Sequence, residues 1–175
     1  MPENPEAAPR ATHVEKSLKP TYLTRLVKYE DMNHHKTLFA GRGAEWLIEA
    51  CFISAARAVG NPEDVVCAQI QGMTFKRPAH PGSLVEIVSQ VGHVGGKSLT
   101  CVGRATINGD PHSVVTSICT FVTVDAEGRP YAHGIVLPPE YIESNRELCD
   151  YARTSYENRQ LSGGAMATRL WKPVT

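Results

Sequence analysis

The chain has 175 residues, 42% of them hydrophobic, and its 18 basic side chains are balanced by 18 acidic ones. That length is one domain with room for a tail, and the apolar share excludes global disorder. Zero net charge argues against a nucleic-acid binder, and no apolar run reaches the roughly 18–20 residues that span a bilayer.

Residues 1–20 are rich in Pro, Ala and charge and read as an arm, ordered where a partner surface supports it. They hold no apolar stretch of the kind found in a signal peptide, so the expected location is cytoplasmic. Residues 21–137 read as the folded body. Leu23 to Tyr29 is a short strand, and the loop Glu30 to Phe39 holds Asp31, Asn33, His34 and His35. After Gly41-Arg42-Gly43 comes a helix, Ala44 to Val59, stopped by Gly60-Asn61-Pro62. At about 100° per residue, Glu45, Glu49 and Arg57 fall within one narrow stripe of about 120°. Most other directions carry Trp46, Leu47, Ile48, Cys51, Phe52, Ile53 or alanines, which predicts a buried helix.

Beyond the helix the apolar period changes to two. Val65–Lys76, Leu84–Val94, Ser98–Ile107 and Ser113–Val124 read as strands, separated by Pro81-Gly82, Gly95-Gly96 and Asn108-Gly109. Both residues of Asn108-Gly109 tolerate positive φ, a strong hairpin signal. The order β–α–β–β–β–β predicts an α+β domain with a mostly antiparallel, bent sheet packed on one helix. Residues 138–175 begin with Pro138-Pro139 and continue as polar helix formers up to Gly163-Gly164, with Tyr141, Leu148, Tyr151 and Ala152 near helical spacing as a sticky face. The five cysteines (Cys51, Cys67, Cys101, Cys119, Cys149) are odd in number and form no CxxC, so they read as small core residues.

The loop before the buried helix is the best candidate site. A helix N-terminus offers free N–H groups and positive potential to a carbonyl oxygen becoming an oxyanion. Asp31 could attack or deprotonate a water, and Asn33 could orient that water. The same two residues also suit a plain Asx turn. His34 and His35 are adjacent, their side chains are expected to diverge, and no third ligand lies at a helpful spacing, so no metal site is expected. There is no GxSxG and no P-loop.

The segment Asp31-Met32-Asn33, followed by Phe39-Ala40-Gly41, resembles the D-x-N…F-x-G run of hotdog-fold acyl-CoA thioesterases, in particular the bacterial single-domain relatives of brain-type acyl-CoA hydrolase. Gly72-Met73-Thr74-Phe75-Lys76-Arg77-Pro78 with Gly82, then Gly95-Gly96-Lys97-Ser98, then Val122 to Pro130, match further motifs of that family in order. The resemblance covers about residues 22–137. It implies a hotdog fold: one long central helix wrapped by a bent sheet, here with a C-terminal helical tail. It also implies a homodimer, or a higher oligomer built from dimers, in which the loop of one subunit faces the helix start of the other. Asp31 then maps to the catalytic carboxylate, Asn33 to the amide and Gly41 to the backbone donor. Other hotdog enzymes carry the acid on the helix, which makes Glu45 and, further inside the apolar helix, Glu49 rivals. A salt bridge to a neighbouring strand is the plainer role for Glu49. Lys76, Arg77 and Lys97 are candidates for the phosphates of coenzyme A, with Gly96 and Ser98 beside the pantetheine path; Arg104 and Arg57 are weaker. The chain departs from the family where His35-Lys36 stand in place of a glycine or small residue, and where Phe39-Ala40-Gly41 replaces F-G-G. The implied reaction is hydrolysis of an acyl-CoA thioester with no cofactor, coenzyme A arriving as part of the substrate. The rival readings are a hotdog dehydratase or hydratase and a non-catalytic acyl-CoA-binding module.

Overall fold

The computed structural model describes residues 13–112 and 115–162. Most of the arm, Ser113 and the Gly163-Gly164 stop lie outside them. Five strands and three helices follow in the expected order: β1 (Thr21–Leu26), α1 (Ala40–Val59), β2 (Val65–Phe75), β3 (Leu84–Val94), β4 (Ser98–Ile107), β5 (Val115–Thr123), α2 (Pro139–Ser144) and α3 (Arg146–Ser162). β1 ends earlier than its sequence suggests, because Tyr29–Asp31 turns into a single 3-10 turn. α1 starts one turn before the expected Ala44. The Phe39 carbonyl accepts the N–H groups of Arg42 and Gly43, which closes that extra turn. Gly60 ends the helix in the left-handed region at φ 89°, its N–H returning to the Ala56 carbonyl.

One antiparallel sheet has the order β1-β3-β4-β5-β2. β3, β4 and β5 are consecutive hairpin partners, whereas β2 crosses to the far edge beside β5 and β1 holds the other edge beside β3. The Asn108-Gly109 turn has both residues at positive φ, 50° and 72°, as the sequence predicts. α1 lies on the concave face. Gly103 of β4 lets it approach closely: a Cβ there would stand 2.9 Å from Cys51 Sγ and 3.0 Å from Leu47 Cδ1. Leu47, Ala50, Cys51 and Ala55 are fully buried against Ile87, Val91, Leu99, Cys101 and Phe121. A small polar knot sits in the same interface. Ser54 Oγ donates to Thr21 Oγ1 at 2.9 Å, and Ser89 Oγ donates to the Ala50 carbonyl at 2.6 Å.

The helical tail covers part of the opposite face. Tyr141 Oη donates to the Val91 carbonyl at 2.6 Å, and Gln90 Nε2 donates to Asn145 Oδ1 at 3.1 Å. Gly92 lies directly under Ala152, whose Cβ a side chain at residue 92 would strike. The packing face of the tail is thus Tyr141, Leu148, Cys149 and Ala152, while Tyr151 points out, 51% exposed. Of the five cysteines, four are buried and Cys67 is exposed on β2. The end of the arm runs along α1, where Ser17 N–H bonds the Arg57 carbonyl and Val14 N–H the Gly60 carbonyl. Among the described residues no helix is long and apolar enough to cross a membrane.

Candidate functional site

The loop before α1 is held by its own polar side chains. Asp31 Oδ2 accepts the Lys28 N–H at 2.9 Å, and Oδ1 lies 3.2 Å from Arg42 Nε. The Asp31 side chain is only 9% exposed, a carboxylate enclosed between a turn and the first turn of α1. Asn33 closes the next bend. Its Oδ1 accepts the N–H groups of His35 at 2.9 Å and Thr37 at 3.2 Å, and its Nδ2 donates to Thr37 Oγ1. Within one chain, both residues therefore make the turn contacts their types favour. Lys36 sits inside that bend at φ 59°. This left-handed conformation costs a non-glycine residue on the order of 1 kcal/mol, a physical reason for the family's small residue at this place. The His34 and His35 rings do not diverge. Their centroids are 3.9 Å apart, because the tight bend turns both to one side.

A groove of about 560 Å³ opens between α1 and the β2–β5 edge. Gly41 lies at its head, Ile48, Phe52 and Phe121 form its apolar floor, and Glu45, Glu49 and Cys67 also line it. The first turn of a helix leaves its earliest N–H groups without helical acceptors, so those of Ala40 and Gly41 remain available as donors. Glu45 is bound to Arg42 at 2.7 Å, and Arg42 thereby links Asp31 to Glu45. Glu49 is bound to Arg25 of β1 at 2.6 Å and is 45% exposed, so the strand salt bridge exists and the carboxylate still borders the groove. Eight residues separate Gly41 from Glu49, about 12 Å of helix rise. Helical side chains lean toward the N-terminus, so the Glu49 carboxylate lies closer to Gly41 than the rise between their backbones. Sequence spacing on α1 could have found Ile48; nothing in the sequence ties Cys67 or Phe121 to the same groove.

The cationic candidates divide into two places. Lys76 and Arg77 share a second cavity, about 320 Å³, with Asn33, Thr37 and Leu38. Arg77 is paired with Asp110. Lys97 lies at the other end of β5, its Nζ 3.3 Å from the Pro130 carbonyl. Nine residues of β5 separate the two places by about 26 Å. Ser98 Oγ bonds Tyr156 Oη of α3 at 3.3 Å, so the Gly95-Gly96-Lys97-Ser98 hairpin lies against the helical tail. Within one chain the structure joins Gly41 with Glu49 and Asn33 with Lys76 and Arg77, and it keeps these sets apart from Gly96, Lys97 and Ser98.

A thioesterase-superfamily model matches residues 35–113. The chain is 30% identical over 112 residues to YkhA of Bacillus subtilis, described as an uncharacterized acyl-CoA thioester hydrolase. That match takes in 62% of this chain and 64% of the relative, so the chain spans just under two thirds of the relative's length. An acyl-CoA hydrolase from Staphylococcus aureus, solved with butyryl coenzyme A and coenzyme A, superposes with a TM-score of 0.71 at 28% identity, over 81% of this chain and 87% of that one. A hexameric acyl-CoA thioesterase solved in its apo form gives a TM-score of 0.69 at 28% identity, over 84% of this chain and 96% of that one. The five-stranded antiparallel sheet on one long helix and these matches give the chain a hotdog fold, and its residues 35–113 are similar to the thioesterase superfamily.

Proposed function

We propose that the protein hydrolyses acyl-CoA thioesters to a free carboxylic acid and coenzyme A. The observation that carries this reading is the apolar groove that starts at the Gly41 amide and has carboxylates on its rim. Relatives named as acyl-CoA hydrolases, one of them solved with butyryl coenzyme A, support the substrate class. In the proposed step the thioester carbonyl lies on the Gly41 N–H, and Glu49 takes a proton from a water. The water oxygen bonds the acyl carbon, the C–S bond breaks, and the departing thiolate regains a proton. Asp31 is the rival for this base. Its two polar partners argue for a positioning role through Arg42 instead. Water, a base and an oxyanion donor complete the reaction, so the proposal calls for no resident cofactor.

The proposal extends to a homodimer. β2 is a sheet edge with exposed Val66, Ile70 and Phe75, and an unpaired apolar edge invites a second strand. A two-fold axis would bring Asn33, Lys76 and Arg77 of one copy to the groove of the other. Chains carrying Asn33→Ala, co-refolded with chains carrying Glu49→Gln, should then recover about one quarter of all sites, since half the dimers are mixed and each holds one intact site. Mixed dimers no more active than the parents overturn the shared site. The reaction itself is tested by chromatographic detection of coenzyme A released from acetyl- to palmitoyl-CoA. Release supports the hydrolase. Water addition to an enoyl-CoA without release marks a hydratase, and binding without either reaction marks a binding module.

A further inference from the structure

We infer that Phe52 is the gate that sets acyl chain length, and that the chamber behind it is built by the end of the N-terminal arm. This rests on the acyl-CoA reading of the groove. Two separate cavities meet at this residue. The groove of about 560 Å³ runs from Gly41 past Ile48 to Phe52. A second chamber of about 490 Å³ begins on the other side of Phe52; Ile53, Ala56 and Pro62 line it on one side, Val14 and Ser17 of the arm on the other, and the charged Glu15, Lys19 and Arg57 also border it. Phe52 is the one residue common to both linings.

The arrangement follows from helix spacing. Ala44, Ile48, Phe52 and Ala56 recur every four residues and so form one ridge along α1. Phe52 is the single aromatic on that ridge, between Ile48 and Ala56. From Gly41 to Phe52 the helix rises about 16 Å, which is the depth a substrate chain has before it meets the ring. The ring is braced from the sheet side by Phe121, edge-on with centroids 6.1 Å apart. It is only partly buried, so truncation removes the partition without emptying the core, whose fully buried members on α1 are Leu47, Ala50, Cys51 and Ala55. The arm is fixed to α1 by backbone bonds at Arg57 and Gly60, which gives the rear chamber a wall.

Phe52→Ala therefore merges the two spaces, and a longer chain enters the second. Each additional methylene brought out of water favours binding by about fourfold, the equivalent of about 0.8 kcal/mol. Two readouts test this. The first is the profile of kcat/KM across butyryl-, octanoyl-, dodecanoyl- and palmitoyl-CoA. In Phe52→Ala the dodecanoyl-to-octanoyl ratio should rise by about tenfold or more over the unmodified protein; in Phe52→Trp it should fall. The second is calorimetric binding of S-butyl-, S-octyl- and S-dodecyl-CoA, thioethers that carry the chain but no hydrolysable carbonyl. The length at which affinity stops rising should move outward in Phe52→Ala. Phe52→Leu, which keeps more of the Phe121 contact, gives an intermediate shift and serves where the alanine variant folds poorly. If no thioester is cleaved but the thioether break point moves, the hydrolase reading fails and the gate stands. Parallel length profiles in all variants, or no thioether binding by any of them, overturn the gate.

Discussion

Gly41→Ala separates the chemistry of the groove from the stability of the fold. Residue 41 is the second residue of α1 and heads the groove. A Cβ built there stands 2.5 Å from Phe39 Cε1 and 3.1 Å from its Cζ, so the ring must move. That movement is cheap, because Phe39 is 56% exposed and its ring can swing toward solvent. Alanine is favoured over glycine in a helix interior by about 1 kcal/mol, and by less in the first turn. The lost ring contacts offset part of that gain. The net effect on stability is between about 0 and 1 kcal/mol in favour of the variant, a rise in Tm of no more than about 2–4 °C for a chain of this size. Activity responds in the opposite direction. The new methyl and the displaced ring both stand beside the Gly41 N–H. Loss of one oxyanion donor costs about 10²–10³ in kcat, and displacement of the substrate by about 1 Å costs about 10²-fold. The expected result is a fall of about 10²-fold or more in coenzyme A release from octanoyl-CoA, with a thermal melt by circular dichroism at or slightly above that of the unmodified protein. Full activity at unchanged Tm would refute the assignment of the Gly41 amide. A large drop in Tm would refute the argument that the Phe39 ring is free to move.

Glu49→Gln should lower turnover by about 10²–10⁴ with an unchanged melt, whereas Asp31→Asn should lose less activity but about 1–2 kcal/mol of stability by weakening the contacts to Lys28 and Arg42; the reverse ranking in steady-state kinetics moves the base to Asp31. Burial, followed by the hydrogen bond to Asp64, pushes the Tyr131 hydroxyl up to about 12, and burial does the same for Tyr141. Both folded values exceed the unfolded value of about 10, so their contribution is complete below about pH 10 and is lost as pH rises toward 12. Denaturant titrations across that window should show falling stability, with a shallower slope in Tyr131→Phe and Tyr141→Phe. In the folded protein a thiol reagent should modify Cys67 and spare Cys51, Cys101, Cys119 and Cys149, which react only after unfolding; mass spectrometry showing rapid native labelling of a buried cysteine would contradict the packing.

The elements of this fold announce themselves locally. Two glycine–proline and asparagine–glycine punctuations bounded α1 and the β4–β5 turn, because a left-handed φ at Gly60, Asn108 and Gly109 is a property of one or two residues. The four strands after the helix were legible from their period of two, and the helix from its nearly continuous apolar surface. Boundaries shifted where a neighbour intervened. Tyr29 reads as a strand residue, but the carboxylate of Asp31 caps a turn there, and the Phe39 carbonyl extends α1 backward by a turn.

The site divided along the same line. The residues near one another in the chain, Asp31, Asn33 and Gly41, were found from sequence as a polar loop before a helix start. What each one touches was not. Arg42 stands between Asp31 and Glu45, Arg25 reaches Glu49 from β1, and Cys67 and Phe121 join the groove from the β2–β5 edge. Lys76 and Lys97 read as one cationic set in the sequence, yet β5 holds them at opposite ends. Sequence by itself determined most of the secondary structure and the apolar faces, since these depend on local conformational preference and short-range periodicity. Only the tertiary structure decided the strand order β1-β3-β4-β5-β2, the carboxylates that border the groove and the place of Phe52 between two chambers, because each depends on residues that become neighbours only when the sheet closes around the helix.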